Sequence, residues 1–438
     1  MTTWTVYEYA RLYRDSHTRY SDGNLLLSEK QFDSLKKLIT DDDSDHNKLF
    51  RYGYDRQREV LICQNYVGVI CLPSGDQIEI LPKTHRHNFL SNETESGSSN
   101  LARRSNRKNL IKMLMATHRL PSKTSSTASL DIARMPLLDV FIQLFLNEVN
   151  MLVKRGVARK YQSQEENITY LKGKLMVSQQ VRHNLVMKHR HFMSYDELSA
   201  NRPENRLIRS ALLWAVNRVQ GETDHLCQEL LFHFSSIPSS NAISQDMQSW
   251  QSGRHLRHYE PIRPWLEMIF NEHSPTSVDG SKDMLSLLFP MERVFEDYVA
   301  QQIKKQFPDM LIQSQVRQHS LITHKPRSMD REKNLFQLKP DLYIEHEGRV
   351  IIADTKWKLI DENLPDKKYN ISEADIYQML AYNQTYQKDE EESAEIWLIY
   401  PRSEKFTQRL PDFKFDNGTV IKVLPFDIDT ASLTGIEY

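Results

Sequence analysis

Apolar residues recur at helical spacing most plainly over Leu137–Arg155. There Leu137, Val140, Phe141, Leu144, Phe145, Val149, Leu152 and Val153 form one stripe, and Gly156 follows as a stop. Further helices are predicted over residues 4–13, 28–39, 109–117, 204–219, 224–234, 261–270 and 287–306. Ser28 with Gln31 reads as a capping box at the start of the second of these. Strand patterns cover residues 59–70 and 77–81, joined by a Pro73-Ser74-Gly75-Asp76 turn, so a hairpin is predicted there. A second strand pair spans 338–344 and 349–357 around Glu345-His346-Glu347-Gly348, with further strands at 310–322, 395–400 and 419–425. Ser372 caps a helix that runs to Thr385, with Asp375 at the capping-box partner position. The polar stretches 91–100 and 121–129 read as loops and 271–282 as a linker.

These elements predict a multi-domain α/β protein. Residues 1–115 form a mixed α+β region with a hairpin, 116–280 a mainly helical middle, and 281–438 an α/β domain around a mixed sheet. No internal repeat at solenoid periods is present.

Charge narrows the function. The 438 residues carry 57 Lys+Arg and 58 Asp+Glu, a net of −1. A chain this neutral does not coat DNA by bulk charge, so any nucleic-acid contact comes from local patches or from a partner. The three cysteines, Cys63, Cys71 and Cys227, form no CxxC pair, which argues against structural zinc, a cysteine-ligated cluster or a disulfide framework and suits a reducing, cytoplasmic setting. The first turns carry Glu8, Arg11, Arg14 and Asp15, unlike a signal peptide, and no apolar run reaches the roughly 18 residues of a membrane span. A nucleotide-binding P-loop is also absent: around Gly173-Lys174, Leu175 replaces the Ser/Thr and Ile168 the first Gly. If the work needs NTP energy, another chain supplies it.

Candidate chemistry concentrates in Lys339-Pro340-Asp341 and Val350-Ile351-Ile352-Ala353-Asp354-Thr355-Lys356. Asp354 and Lys356 lie two apart on a strand and share a face, and Asp341 starts the neighbouring strand. Two carboxylates can hold a hard divalent ion such as Mg²⁺ or Mn²⁺, which would polarise a phosphate and acidify a water, while Lys356 orients or deprotonates that water. The plainer reading makes Asp341 a turn residue and Asp354 with Lys356 an exposed pair. The apolar run before Asp354 argues for a buried strand instead, where such charges are costly unless used. Glu296, on the preceding helix, offers a third carboxylate to the metal, or is a solvated helix charge. Gln378 and Tyr382, at i and i+4, share a helix face; they bond DNA or the lysine, or simply pack.

Together, Asp341, Asp354-Thr355-Lys356 and Gln378-Met379-Leu380-Ala381-Tyr382 resemble a PD-(D/E)xK nuclease of the branch with a QxxxY helix motif. More specifically, the chain resembles the McrC family, the nuclease subunit of McrBC-type modification-dependent restriction systems. The supporting stretches are Tyr66-Val67-Gly68-Val69-Ile70 with Ile78-Glu79-Ile80-Leu81-Pro82-Lys83, then Tyr170-Leu171-Lys172-Gly173-Lys174-Leu175, Asn205-Arg206-Leu207-Ile208 and Phe295-Glu296. The resemblance implies a restriction-endonuclease-like C-terminal domain that cuts double-stranded DNA through Asp341, Asp354, Lys356, Glu296, Gln378 and Tyr382. Asp341, Asp354 and Glu296 would hold the metal. It also implies an AAA+ GTPase partner of McrB type, which carries the modified-DNA reader and the motor. The N-terminal and middle segments dock on that partner and stimulate its hydrolysis, and this chain binds no nucleotide itself. The competing expectations are a stand-alone RecB-like repair nuclease and a non-catalytic activator with a vestigial nuclease domain.

A basic segment stands apart from these motifs. Residues 154–191 hold nine Lys/Arg against two acids, with His183, His189 and His191 spaced loosely for metal ligation. It either meets DNA phosphates or the partner, or is a solvated basic face.

Overall fold

The computed structural model describes residues 2–21, 24–40, 49–83, 97–117, 135–271, 285–316, 319–325, 327, 331–346, 348–386, 395–416 and 418–436. Residues 91–96, the loop at 121–129 and the linker at 272–282 lie outside them. The chain divides into two compact units. One comprises Met1–Leu120, Ser125–Pro136 and Ser281–Tyr438; the other comprises Pro121–Thr124 and Leu137–Gly280. Among the described residues no helix is long and apolar enough to cross a membrane.

The N-terminal part of the first unit is built from β1 (Thr3–Tyr7), β2 (Arg11–Asp15), β3 (Arg19–Ser21), β4 (Asn24–Ser28), α1 (Glu29–Thr40), β5 (Phe50–Asp55), β6 (Arg58–Cys63), β7 (Tyr66–Cys71), β8 (Gln77–Leu81) and α2 (Gly97–Ala116). A five-stranded sheet takes the order β3-β4-β2-β6-β5. Leu12, Leu25, Leu27, Phe32, Leu35 and Leu61 bury together between this sheet and α1.

The expected helix over residues 4–13 is wrong. The segment is two strands, with Thr3 to Tyr7 running parallel to Gln77 to Leu81. Thr3, Thr5 and Val6 favour a strand locally. Pairing with β8, more than seventy residues on, decides it, and that long-range term leaves no local period to read. The expected single strand at 59–70 is two strands in two sheets, broken where Gln64 N–H bonds Leu49 O at 2.9 Å. The β7–β8 hairpin forms as predicted, with Cys71 opposite Gln77. At its edge Gly68 has φ +139°, and a Cβ there would collide with the carbonyl oxygen of Leu287.

The second unit contains α3 (Leu137–Arg155), β9 (Lys160–Ile168), β10 (Lys174–Leu175), α4 (Val177–His183), β11 (His191–Ser199), α5 (Pro203–Val216), α6 (Glu222–His233), α7 (Ile243–Gln248) and α8 (Arg263–Asn271). α3 has the predicted limits, and Gly156 N–H closes it on Leu152 O at 3.0 Å. The mainly helical expectation misses a three-stranded antiparallel sheet, β10-β11-β9, two of whose strands lie in the basic segment. β9 reads Lys-Tyr-Gln-Ser-Gln-Glu-Glu-Asn-Ile and is mostly exposed, so it shows no apolar alternation.

The first unit resumes with β12 (Leu285–Pro290), α9 (Met291–Gln306), β13 (Leu311–Ser314), β14 (Ser320–His324), β15 (Lys333–Gln337), β16 (Leu342–His346), β17 (Arg349–Thr355), α10 (Glu373–Tyr386), β18 (Glu395–Pro401), β19 (Phe413–Lys414), β20 (Val420–Asp427) and β21 (Ser432–Leu433). The helix expected over 287–306 starts only at Met291. Residues 285–290 instead pair antiparallel with β7, ending the sheet β1-β8-β7-β12, and Pro290 sits at the helix N-cap. The expected strand at 310–322 is likewise two strands, parted at Gln315 with φ 53°.

A seven-stranded mixed sheet follows, ordered β13-β16-β17-β18-β20-β19 with β21 on β20. β16 and β17 are antiparallel, whereas β17-β18-β20 are parallel. Parallel strands covered on both faces need near-continuous apolar runs. Ile351-Ile352-Ala353 and Ile396-Trp397-Leu398-Ile399-Tyr400 supply them, all buried. α10 packs Met379 and Tyr382 onto this core beside Ile352, Leu398 and Val423.

Candidate active site

In open α/β sheets, sites collect at the carboxyl ends of parallel strands. Asp354 lies there on β17, opposite Leu398 of β18, and its side chain is only 2% exposed. Lys356 follows, its N–H still in register on Ile399 O at 2.9 Å. Asp341 enters β16 across the hairpin. Its Oδ2 accepts from Thr355 N–H and Thr355 Oγ1, each at 2.7 Å. Thr355, a filler between two candidate residues in the sequence, thus holds the third.

α10 completes the cluster. The Lys356 ammonium pairs with Asp354 Oδ2 and donates to Gln378 Oε1 at 3.0 Å. Gln378 Nε2 donates to Asp354 Oδ1 at 3.2 Å and to the Tyr382 hydroxyl at 2.7 Å. Tyr382 Oη lies 3.0 Å from Lys339 O and 3.3 Å from Asp354 Oδ1, either of which takes its proton. The i, i+4 pair therefore bonds both the carboxylate and the lysine. Glu296, on α9, stands just outside and accepts from Gln315 Nε2 at 2.9 Å, while Gln315 N–H binds Asp341 O at 3.0 Å.

The electrostatics follow from crowding acids in a buried place. Burial, then the charges of Asp354 and Glu296, push Asp341 up to about 8 against the pull of its Thr355 bonds. Burial also raises Asp354, although Lys356 opposes it. For Lys356 burial favours the neutral amine, but Asp354 and Asp341 outweigh it and hold the ammonium above its ordinary range. Burial and the Asp354 charge raise the Tyr382 hydroxyl. Among the described residues, no three His, Cys, Asp or Glu side chains converge as a ready ligand cluster. Asp354 is engaged by Lys356, Gln378 and Tyr382, Asp341 by Thr355, and Glu296 by Gln315.

Two neighbours escaped the sequence reading. Asp375 does receive the predicted cap, from its N–H to Ser372 Oγ at 3.2 Å, but its buried carboxylate also takes Lys358 Nζ at 2.9 and 3.0 Å and the Tyr400 hydroxyl at 3.2 Å. Glu8, in the turn after β1, accepts the Trp357 indole N–H on both oxygens at 3.1 and 2.9 Å. Trp357 in turn packs on Phe295, with ring centroids 5.1 Å apart. A lysine two past Lys356 was the available signal for Lys358; nothing local marks Glu8.

A family model described as the McrBC 5-methylcytosine restriction system component matches residues 61–401, well over half of the chain. The chain belongs to this family. The resemblance drawn from its motifs is thereby borne out. Several of the motif residues of this McrBC component are structural: Arg107 clasps buried Glu79 at 2.7 and 2.6 Å, and Asn205 donates to Ala158 O and Ala200 O while accepting from the Tyr259 hydroxyl at 2.7 Å. Gly173, at φ +75°, leaves no room for a Cβ against Ser194 O and Tyr195. No curated protein matches the sequence.

Two solved structures share the fold. A chain of the refined half-complex from a tetradecameric assembly of Thermococcus gammatolerans McrB AAA+ hexamers with bound McrC aligns with a TM-score of 0.68 and 17% identity, over 100% of this chain and 97% of that one. A chain of the Thermococcus gammatolerans McrBC complex aligns with a TM-score of 0.50 and 18% identity, over 73% of this chain and 90% of that one.

Proposed function

We propose that this chain is the DNA endonuclease subunit of a GTP-dependent, modification-dependent restriction complex, with its C-terminal α/β domain a PD-(D/E)xK nuclease. It docks on an AAA+ GTPase of McrB type and stimulates it. The observation that carries the reading is the joint clasp of Asp354 and Lys356 by Gln378 and Tyr382 at the end of a buried parallel strand, with Asp341 beside them. A core strand does not end in buried charges for stability alone, because desolvating an ion pair offsets most of its attraction.

The donor set fits a hard divalent cation. It offers only carboxylate oxygens: Asp341 and Asp354 act together on the Lys356 ammonium, and the charge of Glu296 reaches Asp341 from outside the clasp. Mg²⁺ or Mn²⁺ would be held by these three and would supply a polarised phosphate and a more acidic water. The chain's own residues do the rest. Lys356 donates hydrogen bonds to the attacking water or to a phosphate oxygen. As the water oxygen bonds to phosphorus, the P–O bond to the departing strand breaks, and the proton shed by the water balances, through solvent, the one that the leaving oxygen takes up. Gln378 and Tyr382 fix Lys356 and Asp354 so that neither must reorganise during the step.

The test mixes the chain with its GTPase partner, GTP, Mg²⁺ and either methylated or unmethylated plasmid. Double-strand cutting that needs every component supports the proposal. Cutting by the chain alone, indifferent to GTP, points to a stand-alone nuclease. Faster GTP hydrolysis with no cutting points to a non-catalytic activator.

A further inference from the structure

Beyond the clasp, α10 presents a third residue on the same face. Asp375, Gln378 and Tyr382 stand at i, i+3 and i+7, which brings them into one stripe. Each meets a successive polar residue of the opposing segment. Tyr382 touches Asp354, Gln378 takes Lys356, and Asp375 takes Lys358. The first two pairs are the proposed catalytic machinery, but the third has no part in the chemistry.

Lys358 is built to stay in place yet face solvent. Both oxygens of buried Asp375 grip its ammonium, with Ser372 Oγ more distant at 3.4 Å, and its side chain is still 46% exposed. Asp375 is itself fixed by the Tyr400 hydroxyl and by Ser372. Beside Lys358 opens a cavity of about 290 Å³, lined by Glu8, Tyr9, Lys83, Trp357, Leu359 and Pro401 as well as Lys358. Two lysines, Lys83 and Lys358, therefore line one recess, with the Glu8 carboxylate on the same wall. A purely structural ion pair requires neither the recess nor a second cation.

We infer that Lys358 and Lys83 form a phosphate subsite, which holds a backbone phosphodiester of the DNA strand adjacent to the one cut. This rests on the nuclease reading of the neighbouring clasp and names a residue pair that grips the same substrate. Asp375 acts as a positioning residue that keeps the Lys358 ammonium aimed at the recess. Lysine serves here as a point charge on phosphate. Its contribution is sequence-independent and salt-dependent.

The test is equilibrium binding of a fluorescent duplex to the full-length chain, with its partner present and divalent metal chelated, across a salt series. Lys358→Gln should weaken binding about tenfold or more, the loss of one hydrogen bond to a charged group. It should also flatten the slope of log K against log salt by about 0.9, and Lys83→Gln with Lys358→Gln by roughly twice that. Lys358→Arg, which keeps the cation, should restore the slope. An unchanged slope in the double variant overturns the inference, as does a lowered melting temperature with unaltered binding, which would mark a structural pair. Wild-type binding too weak to measure overturns it as well. Failure of the underlying nuclease reading is seen separately, as full cutting by an Asp354→Ala chain.

Discussion

Glu8→Gln tests how the N-terminal strand is tied to the segment after β17. Glu8 is 2% exposed, and among the described residues its carboxylate accepts from two neutral donors, the Trp357 indole and the Lys83 N–H at 3.1 Å. Burial raises it from 4.5 to about 7, although those two bonds and the Lys83 charge pull the other way. The folded chain therefore binds this proton more tightly than the unfolded chain. The contribution of Glu8 to stability is full below about pH 4.5, falls as pH rises towards 7, and is gone above. A shift from 4.5 to about 7, at about 1.4 kcal/mol per unit, makes the full loss about 3 kcal/mol. Gln has no proton to lose, so the variant lacks this slope. Its amide also faces the Lys83 N–H, which adds a constant offset, so the informative quantity is the change with pH. Urea denaturation of both proteins from pH 5 to 8 at fixed ionic strength should show Glu8→Gln gaining on the wild type by about 2.5 kcal/mol, most of the full loss. A difference that stays flat, or that moves against the variant as pH rises, would refute the reasoning.

Three further outcomes follow from the geometry. Arg107→Ala removes both guanidinium hydrogen bonds from the fully buried Glu79 carboxylate, which keeps the Thr5 hydroxyl at 2.9 Å, and should cost about 3 kcal/mol, read by chemical denaturation. Tyr382→Phe removes the hydroxyl between Asp354 and Lys339 O; it should slow DNA cutting about 10- to 100-fold while the circular dichroism spectrum is unchanged. Gly68→Ala forces a Cβ into Leu287 O at φ +139° and should lower the melting temperature by weakening the β7–β12 pairing, whereas Gly53→Ala, in open space, should not.

What the sequence revealed depended on whether the signal was local. Leu137–Arg155 shows its stripe and its glycine stop within twenty residues. The β16–β17 hairpin shows an apolar run, a turn and polar ends, and the α10 cap is a local hydrogen bond. The strands at 3–7 and 285–290 owe their form to partners far along the chain, and β9 is too solvated to alternate. The same division holds in the site. Asp341, Asp354, Lys356, Gln378 and Tyr382 were legible because strand and helix periods place them together. Glu8 was not, because 349 positions separate it from Trp357. Asp375 was read only as a cap because its sequence context describes the helix end and not the lysine across from it.

The most direct measurement compares wild type and Asp354→Ala in one reaction with the GTPase partner, GTP, Mg²⁺ and methylated plasmid, following both cutting and GTP hydrolysis. The account predicts that the variant loses cutting and still accelerates GTP hydrolysis as the wild type does. Cutting that survives in Asp354→Ala would contradict it.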